Sequence, residues 1–168
     1  MENKLAIYQA VRAVPVEAQK SFNNGRFTGT DINPMWRIKI LTEQFGPCGI
    51  GWYYTIEKLW LEEGADGNVT ANAQINLFIK YEGEWSMPIP GVGGNSFISK
   101  TATRALTSDE CYKMALTDAL SVSAKALGIG ADIYFSTDRT KYSQQQDTNI
   151  AKTTDKSDMS FDWGKQAA

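Results

Sequence analysis

Histidine is absent from this 168-residue chain, and that one gap closes off a wide range of chemistry. Ser-His and Cys-His nucleophilic pairs are excluded, and most catalytic zinc sites lose their usual ligand. Cysteine is scarce. Cys48 and Cys111 form no CxxC pair and no disulfide framework, the usage expected in a reducing compartment. Long apolar runs are missing as well. The most apolar stretch, "ALTDALSVSAKALGIGADIYF" (115–135), is interrupted by Asp118, Lys125 and several hydroxyl residues, so it falls short of the roughly 20 apolar residues a spanning helix needs. The opening "MENKLAIYQAVRAVP" has no apolar core or cleavage site of a secretory signal. These absences lead to the expectation of a cytoplasmic protein with no membrane segment. Neither sign of charge is in real excess, because 17 basic against 19 acidic residues give a net charge of −2. Any anion site must therefore be built by placing cations, not by bulk charge.

What is present suits one domain, expected over 1–142, followed by a flexible tail over 143–168. In the tail "SQQQDTNIAKTTDKSD" has almost no apolar residues to offset the ordering entropy. It ends in "MSFDWG", where Phe161 and Trp163 could anchor a docking partner or be incidental. Residues 2–12 carry helix-like apolar spacing that Pro15 ends, and "SFNNGRFTGTDINP" reads as a loop. "MWRIKILTEQFG" predicts a helix opened by Pro34 and closed by Gly46, with Trp36, Ile40, Leu41 and Phe45 on one face. Strands are predicted at 51–62 and 69–82, joined by an Asp66-Gly67 hairpin turn. In the second of these, Ala71, Ala73, Ile75, Leu77, Ile79 and Tyr81 alternate with Thr70, Asn72, Gln74, Asn76 and Lys80. "EWSMPIPG" predicts a short third strand at an edge, since Pro88 and Pro90 suit a central strand badly.

A long helix is then expected over roughly 108–127, capped by Thr107 and Glu110 and stopped by Gly128. Small or apolar residues cover most of its circumference, which predicts burial on more than one side. A sheet can cover one side, and a neighbouring subunit is a candidate for the rest. The fold class that emerges is α+β: a three-stranded antiparallel sheet, built on a β-hairpin, packed on one long helix.

Catalytic constellations are weak. "GVGGN" (91–95) lacks the Gly-Lys-Ser/Thr ending of a phosphate loop and reads better as a turn. The acid pairs Glu62-Glu63, Asp109-Glu110 and Glu82/Glu84 sit in turns or at a helix start, without apolar flanks to raise a pKa. No enzyme activity, cofactor or metal is expected. The cations are more suggestive in position than in number. Arg37 and Lys39 lie on the Trp36 helix, Lys100, Arg104 and Lys113 bracket the start of the long helix, and Arg139 and Lys141 follow the last ordered segment. With aromatics such as Trp36, Tyr53 or Trp85 they could line a groove for a sugar-phosphate backbone, or simply solvate the surface.

The order "MWRIKILTEQFGPCGIGWYYTI", two further strands, a Gly-rich segment and "DECYKMALTDALSVSAKALGIGADIYF" resembles the bacteriophage single-strand annealing proteins. Within these it is similar to the Sak-type group of the Rad-fifty-two superfamily. The likeness covers roughly 15–142 and rests on Phe45-Gly46 shortly before Gly51-Trp52, and on the "TDAL…ALG" helix. It implies ATP-independent binding of single-stranded DNA, annealing of complementary strands in phage recombination, a β-β-β-α core, and homo-oligomeric rings or filaments in the host cytoplasm. It also implies that Arg37, Lys113 and Lys125 contact DNA, and that the small residues Ala119, Ser123 and Ala126 keep an assembly helix thin. Ser121 and Val122 stand where eukaryotic members carry basic residues, so Lys39, Lys100 or Arg104 would have to supply the missing donors. A host single-strand-binding protein or a phage exonuclease would be the partner of the tail. The competing expectation is a ring-forming phage structural or host-interaction protein that never meets DNA.

Overall fold

Two long strands with opposite habits organise the molecule. β4 (Val69–Tyr81) alternates strictly, with Ala71, Ala73, Ile75, Leu77 and Ile79 all buried, whereas its antiparallel neighbour β3 (Trp52–Glu63) is exposed along most of its length. Their turn places both Asp66 and Gly67 at positive φ, as the sequence of the turn predicts. The computed structural model describes residues 5–23, 25, 27–101, 103–135 and 143–144. The predicted tail with its Phe161 and Trp163, together with Arg139 and Lys141, lies outside these residues except for 143–144.

The third long strand is not the segment expected. The Glu84–Trp85 pair (β5) turns back on β4, but the main partner of β4 on its other side is β6 (Ile89–Lys100), which takes in the whole "GVGGN" segment. A turn was the reading for those glycines. They are strand residues because Gly91 and Gly93 lie directly under α3 (Cys111–Ala126), where a Cβ on either would stand less than 3.0 Å from α3 backbone atoms. Most of β6 is a sheet edge, since β7 (Ala105–Thr107) covers only Ile98–Lys100. Pro90 therefore sits where a missing N–H costs no ladder bond. The order is β3-β4-β6-β7, antiparallel throughout, with β5 beside β4.

α3 is shorter than predicted at its start. Thr107 belongs to β7, Glu110 is the N-cap residue, and no side chain caps the helix. Its other end is as expected, with Gly128 at φ +89 just beyond the last turn. Ala115, Ala119 and Ser123 face Gly91 and Gly93 of the same chain. This close approach accounts for the small residues at those three positions. Ala126, expected on the same thin stripe, is exposed.

"SFNNGRFTGTDINP" is also structured. β1 (Gln19–Asn23) and β2 (Phe27–Ile32) form an antiparallel hairpin, and the short β8 (Ser143–Gln144) pairs with β2. Of the Asn and Gly residues that suggested a loop, Asn23 accepts from Gly25 N at 2.8 Å in the turn, while Gly29 lies in β2 opposite Phe22. Asn33 then caps α2 (Pro34–Phe45) by accepting from Met35 N at 2.9 Å, with Pro34 in the first turn. α1 (Ala6–Val11) is tied to α4 (Ala131–Phe135), Gly130 N donating to Val11 O and Asp132 N to Arg12 O. The architecture of the described residues is α+β, with four α-helices. None of these helices is long and apolar enough to cross a membrane.

Candidate functional site

α2 enters the core through Trp36 and Leu41, which leaves Arg37, one position round from Trp36, buried as well at 4 % exposure. One guanidinium nitrogen donates to Ile32 O and the other to the Tyr134 hydroxyl, both at 3.1 Å. The Nε has no hydrogen-bond partner. Among the described residues Arg37 belongs to none of the three ion pairs, Arg12–Asp132, Lys39–Glu43 and Lys113–Glu110. A buried cation satisfied only by neutral acceptors is costly. Arg37 is the feature that most calls for an explanation.

Two clefts meet at this side chain. One, of about 500 Å³, is lined by Arg37, Lys125, Asp31, Asn95, Asp118 and Ser121, among others. Its second cation, Lys125 Nζ, lies 5.0 Å from the centre of the Tyr134 ring, so Tyr134 receives Arg37 at its hydroxyl and Lys125 at its face. The other cleft, of about 410 Å³, runs from Arg37 along the start of β3 past Met35, Trp52, Tyr54, Lys113 and Leu120. Pro34, Thr117 and Ser121 border both. The loop from α2 to β3 shapes the second cleft. Gly51 packs so tightly on the Phe45 carbonyl that any Cβ there would overlap it, and Gly51 N donates to Pro47 O at 2.9 Å. This contact is the physical content of the Phe45-Gly46…Gly51-Trp52 spacing.

Several polar groups of the clefts are engaged in local hydrogen bonds. Thr117 Oγ1 donates to Lys113 O and Ser121 Oγ to Thr117 O, both at 2.9 Å, so these hydroxyls are spent on their own helix. Asp118 accepts from Gly94 N at 3.3 Å and Asp31 from Ile32 N at 2.9 Å. No group of three or more potential metal ligands occurs among the described residues.

The six cations singled out by sequence do not gather into one groove. Arg37 and Lys125 share one cleft, and Arg37 and Lys113 share the other. Lys113 is exposed and paired with Glu110, and Lys39, on the outside of α2, is paired with Glu43 at 2.5 Å. Lys100 and Arg104 lie at the far end of the sheet. Lys100 N donates to Asn68 Oδ1, with its ammonium against Gly67, and Arg104 closes a turn with Thr101. Trp36 is buried and offers no stacking surface. Tyr53 stacks on Phe78 and meets Trp85 edge-on, so of the three aromatics Trp85 is the most open. Tyr134, Asp31 and Asp118 had no signal in the sequence that marked them as neighbours of Arg37.

No protein-family model matches the chain, and neither does any curated protein.

Proposed function

We propose that this protein binds single-stranded DNA without nucleotide or metal and speeds the pairing of complementary strands, in the cytoplasm of a phage-infected bacterium. The observation that carries the reading is Arg37, a buried guanidinium with no carboxylate partner, at the junction of two clefts that also hold Lys125 and Lys113. A phosphate chain laid along the clefts would compensate that charge, with the two lysines at either side. The sequence resemblance supports it, and an antiparallel sheet followed in the chain by a helix agrees with it, with β5 and β7 as further strands in the order β3, β4, β5, β6, β7, α3. Homo-oligomerisation belongs to the same proposal. The dispersal of Lys39, Lys100 and Arg104 favours the competing reading, a structural or host-interaction protein.

Purified protein with two complementary oligonucleotides, no nucleotide and no metal, is the direct test. Annealing faster than the spontaneous rate is expected. Binding to a single strand should weaken with salt, with a log–log slope of about −0.7 per phosphate contacted. No acceleration and no mobility shift would leave the competing reading in place.

A further inference from the structure

β3 is an edge strand with unusually little protection. It runs for 12 residues without proline, and the edge away from β4 is engaged only at Trp52, through a bridge to Cys48 among the described residues. Tyr54, Ile56, Leu59 and Leu61 lie opposite Leu77, Ile75, Ala73 and Ala71, on the sheet face that is core elsewhere, yet they remain 37–50 % exposed. Their spacing changes parity because Glu57 is bulged out of the ladder, between the pairs Ile56↔Ile75 and Lys58↔Gln74.

We propose that this strip is covered by a second copy of the chain, through antiparallel pairing of β3 with β3 about a two-fold axis between Glu57 and Lys58. The bulge normally spoils an edge for strand addition. Here it lies on the axis, so both copies bulge at the same place and the parity change cancels. Ile56 then faces the partner's Leu59, and Tyr54 faces the partner's Leu61, which joins the two apolar strips across the interface. Glu57 faces the partner's Lys58, and the contact occurs twice by symmetry. Slipping the register by one residue sets Ile56 against the partner's Lys58, or sets Leu59 against the partner's Glu57. Parallel pairing sets Glu57 against Glu57. The opposite sheet edge consists of β7, three residues long, and the uncovered part of β6, where Gly91 and Gly93 lie under α3 and offer no apolar side chains to meet the strip of β3. Glu57 and Lys58 are both exposed in the single chain and are in no ion pair among the described residues. Lys58 rests over the Trp60 ring and Glu57 accepts from Thr55 Oγ1, contacts weak enough to exchange.

The pairing does not rest on the DNA reading, and it is tested without DNA. Light scattering on the full chain should give twice its 18.6 kDa mass, or an even multiple of that. Glu57→Lys places like charges together at both contacts and should at least halve the mass. Lys58→Glu should do the same from the other side. The double swap, Glu57→Lys with Lys58→Glu, should restore the wild-type mass. A wild type that is monomeric throughout, an assembly that the single changes leave intact, or a double swap that fails to restore it, overturns the proposal. Circular dichroism of these surface variants separates loss of assembly from loss of fold.

Discussion

The same face of the main sheet is sealed at one end of the strand order and bare at the other. Over β4 and β6 it is closed by α3, with glycine on the sheet meeting alanine and serine on the helix. Along β3 it carries Tyr54, Ile56, Leu59 and Leu61 with nothing above most of their surface. Where α3 comes closest, the sheet presents Gly91 and Gly93, whereas the bare strand carries large side chains, opposite to simple expectation. Helix and sheet gain from close approach, which small residues permit, so the dense part of this core is built from backbone contact as much as from bulk. Large apolar residues that no element of the chain covers are instead available for association.

The greatest effect should come from filling the sealed contact. A Cβ at Gly93 would stand less than 3.0 Å from Ala119 N, Ala115 O and the Asp118 carbonyl carbon, all of them backbone, so no rotamer change can relieve it. Gly93→Val should cost about 3 kcal/mol or more, read as a loss of cooperative urea unfolding or a much lower midpoint. Near-wild-type stability would mean that α3 sits farther from β6 than described, and the contrast between the regions would disappear.

A matched pair within one row sharpens the contrast. Ile75 and Ile56 are direct partners in the ladder, the first fully buried and the second half exposed. Ile75→Ala should destabilise by roughly 2–5 kcal/mol, since it leaves a cavity under α3. Ile56→Ala should cost less than about 1 kcal/mol by denaturant titration at concentrations where the chain is monomeric. Equal losses would show that β3 is covered in the single chain.

Arg37 stands between the two regions and behaves as neither. Because its buried charge has no ionic partner, Arg37→Met should change stability by no more than about 1 kcal/mol, and a slight gain is compatible with burying an apolar chain of similar reach. Binding of single-stranded oligonucleotide by the same variant should fall at least tenfold. Strong destabilisation would reassign Arg37 as a structural residue held by Ile32 O and Tyr134.

How much of this was legible in the sequence follows from how local each signal was. The alternation in β4, the Pro34 and Gly46 limits of α2, the Asp66-Gly67 turn and the Gly128 stop all depend on residues within a turn of one another, and each has its counterpart in the structure. The failures were long-range. Gly91 and Gly93 resemble a turn until α3, some 25 residues later, explains why a strand there must lack side chains. The β1–β2 hairpin was hidden because Asn, Gly and Thr serve turns and polar strands alike. At the site, Arg37 stood out, but its burial depends on Tyr134, almost a hundred residues away. Nothing in the pattern of cations revealed that Lys100 and Arg104 lie at the other end of the sheet.

The smallest effect should belong to β3. Leu59 is 43 % exposed and faces Ala73 across the ladder, so little packs against its outer half and its removal opens no enclosed space. Threonine is β-branched and favours an extended backbone, and it removes most of the apolar surface of Leu59. In the isolated chain Leu59→Thr should therefore shift stability by no more than about 0.5 kcal/mol. The same change removes an apolar pair from each half of the proposed two-fold interface, so the mass by light scattering should fall while the single-chain unfolding curve barely moves. A residue that matters to assembly and not to the monomer is the signature expected of the bare end of the sheet. If Leu59→Thr instead cost as much as Ile75→Ala, the distinction between sealed and bare would be one of shape alone, without energetic meaning.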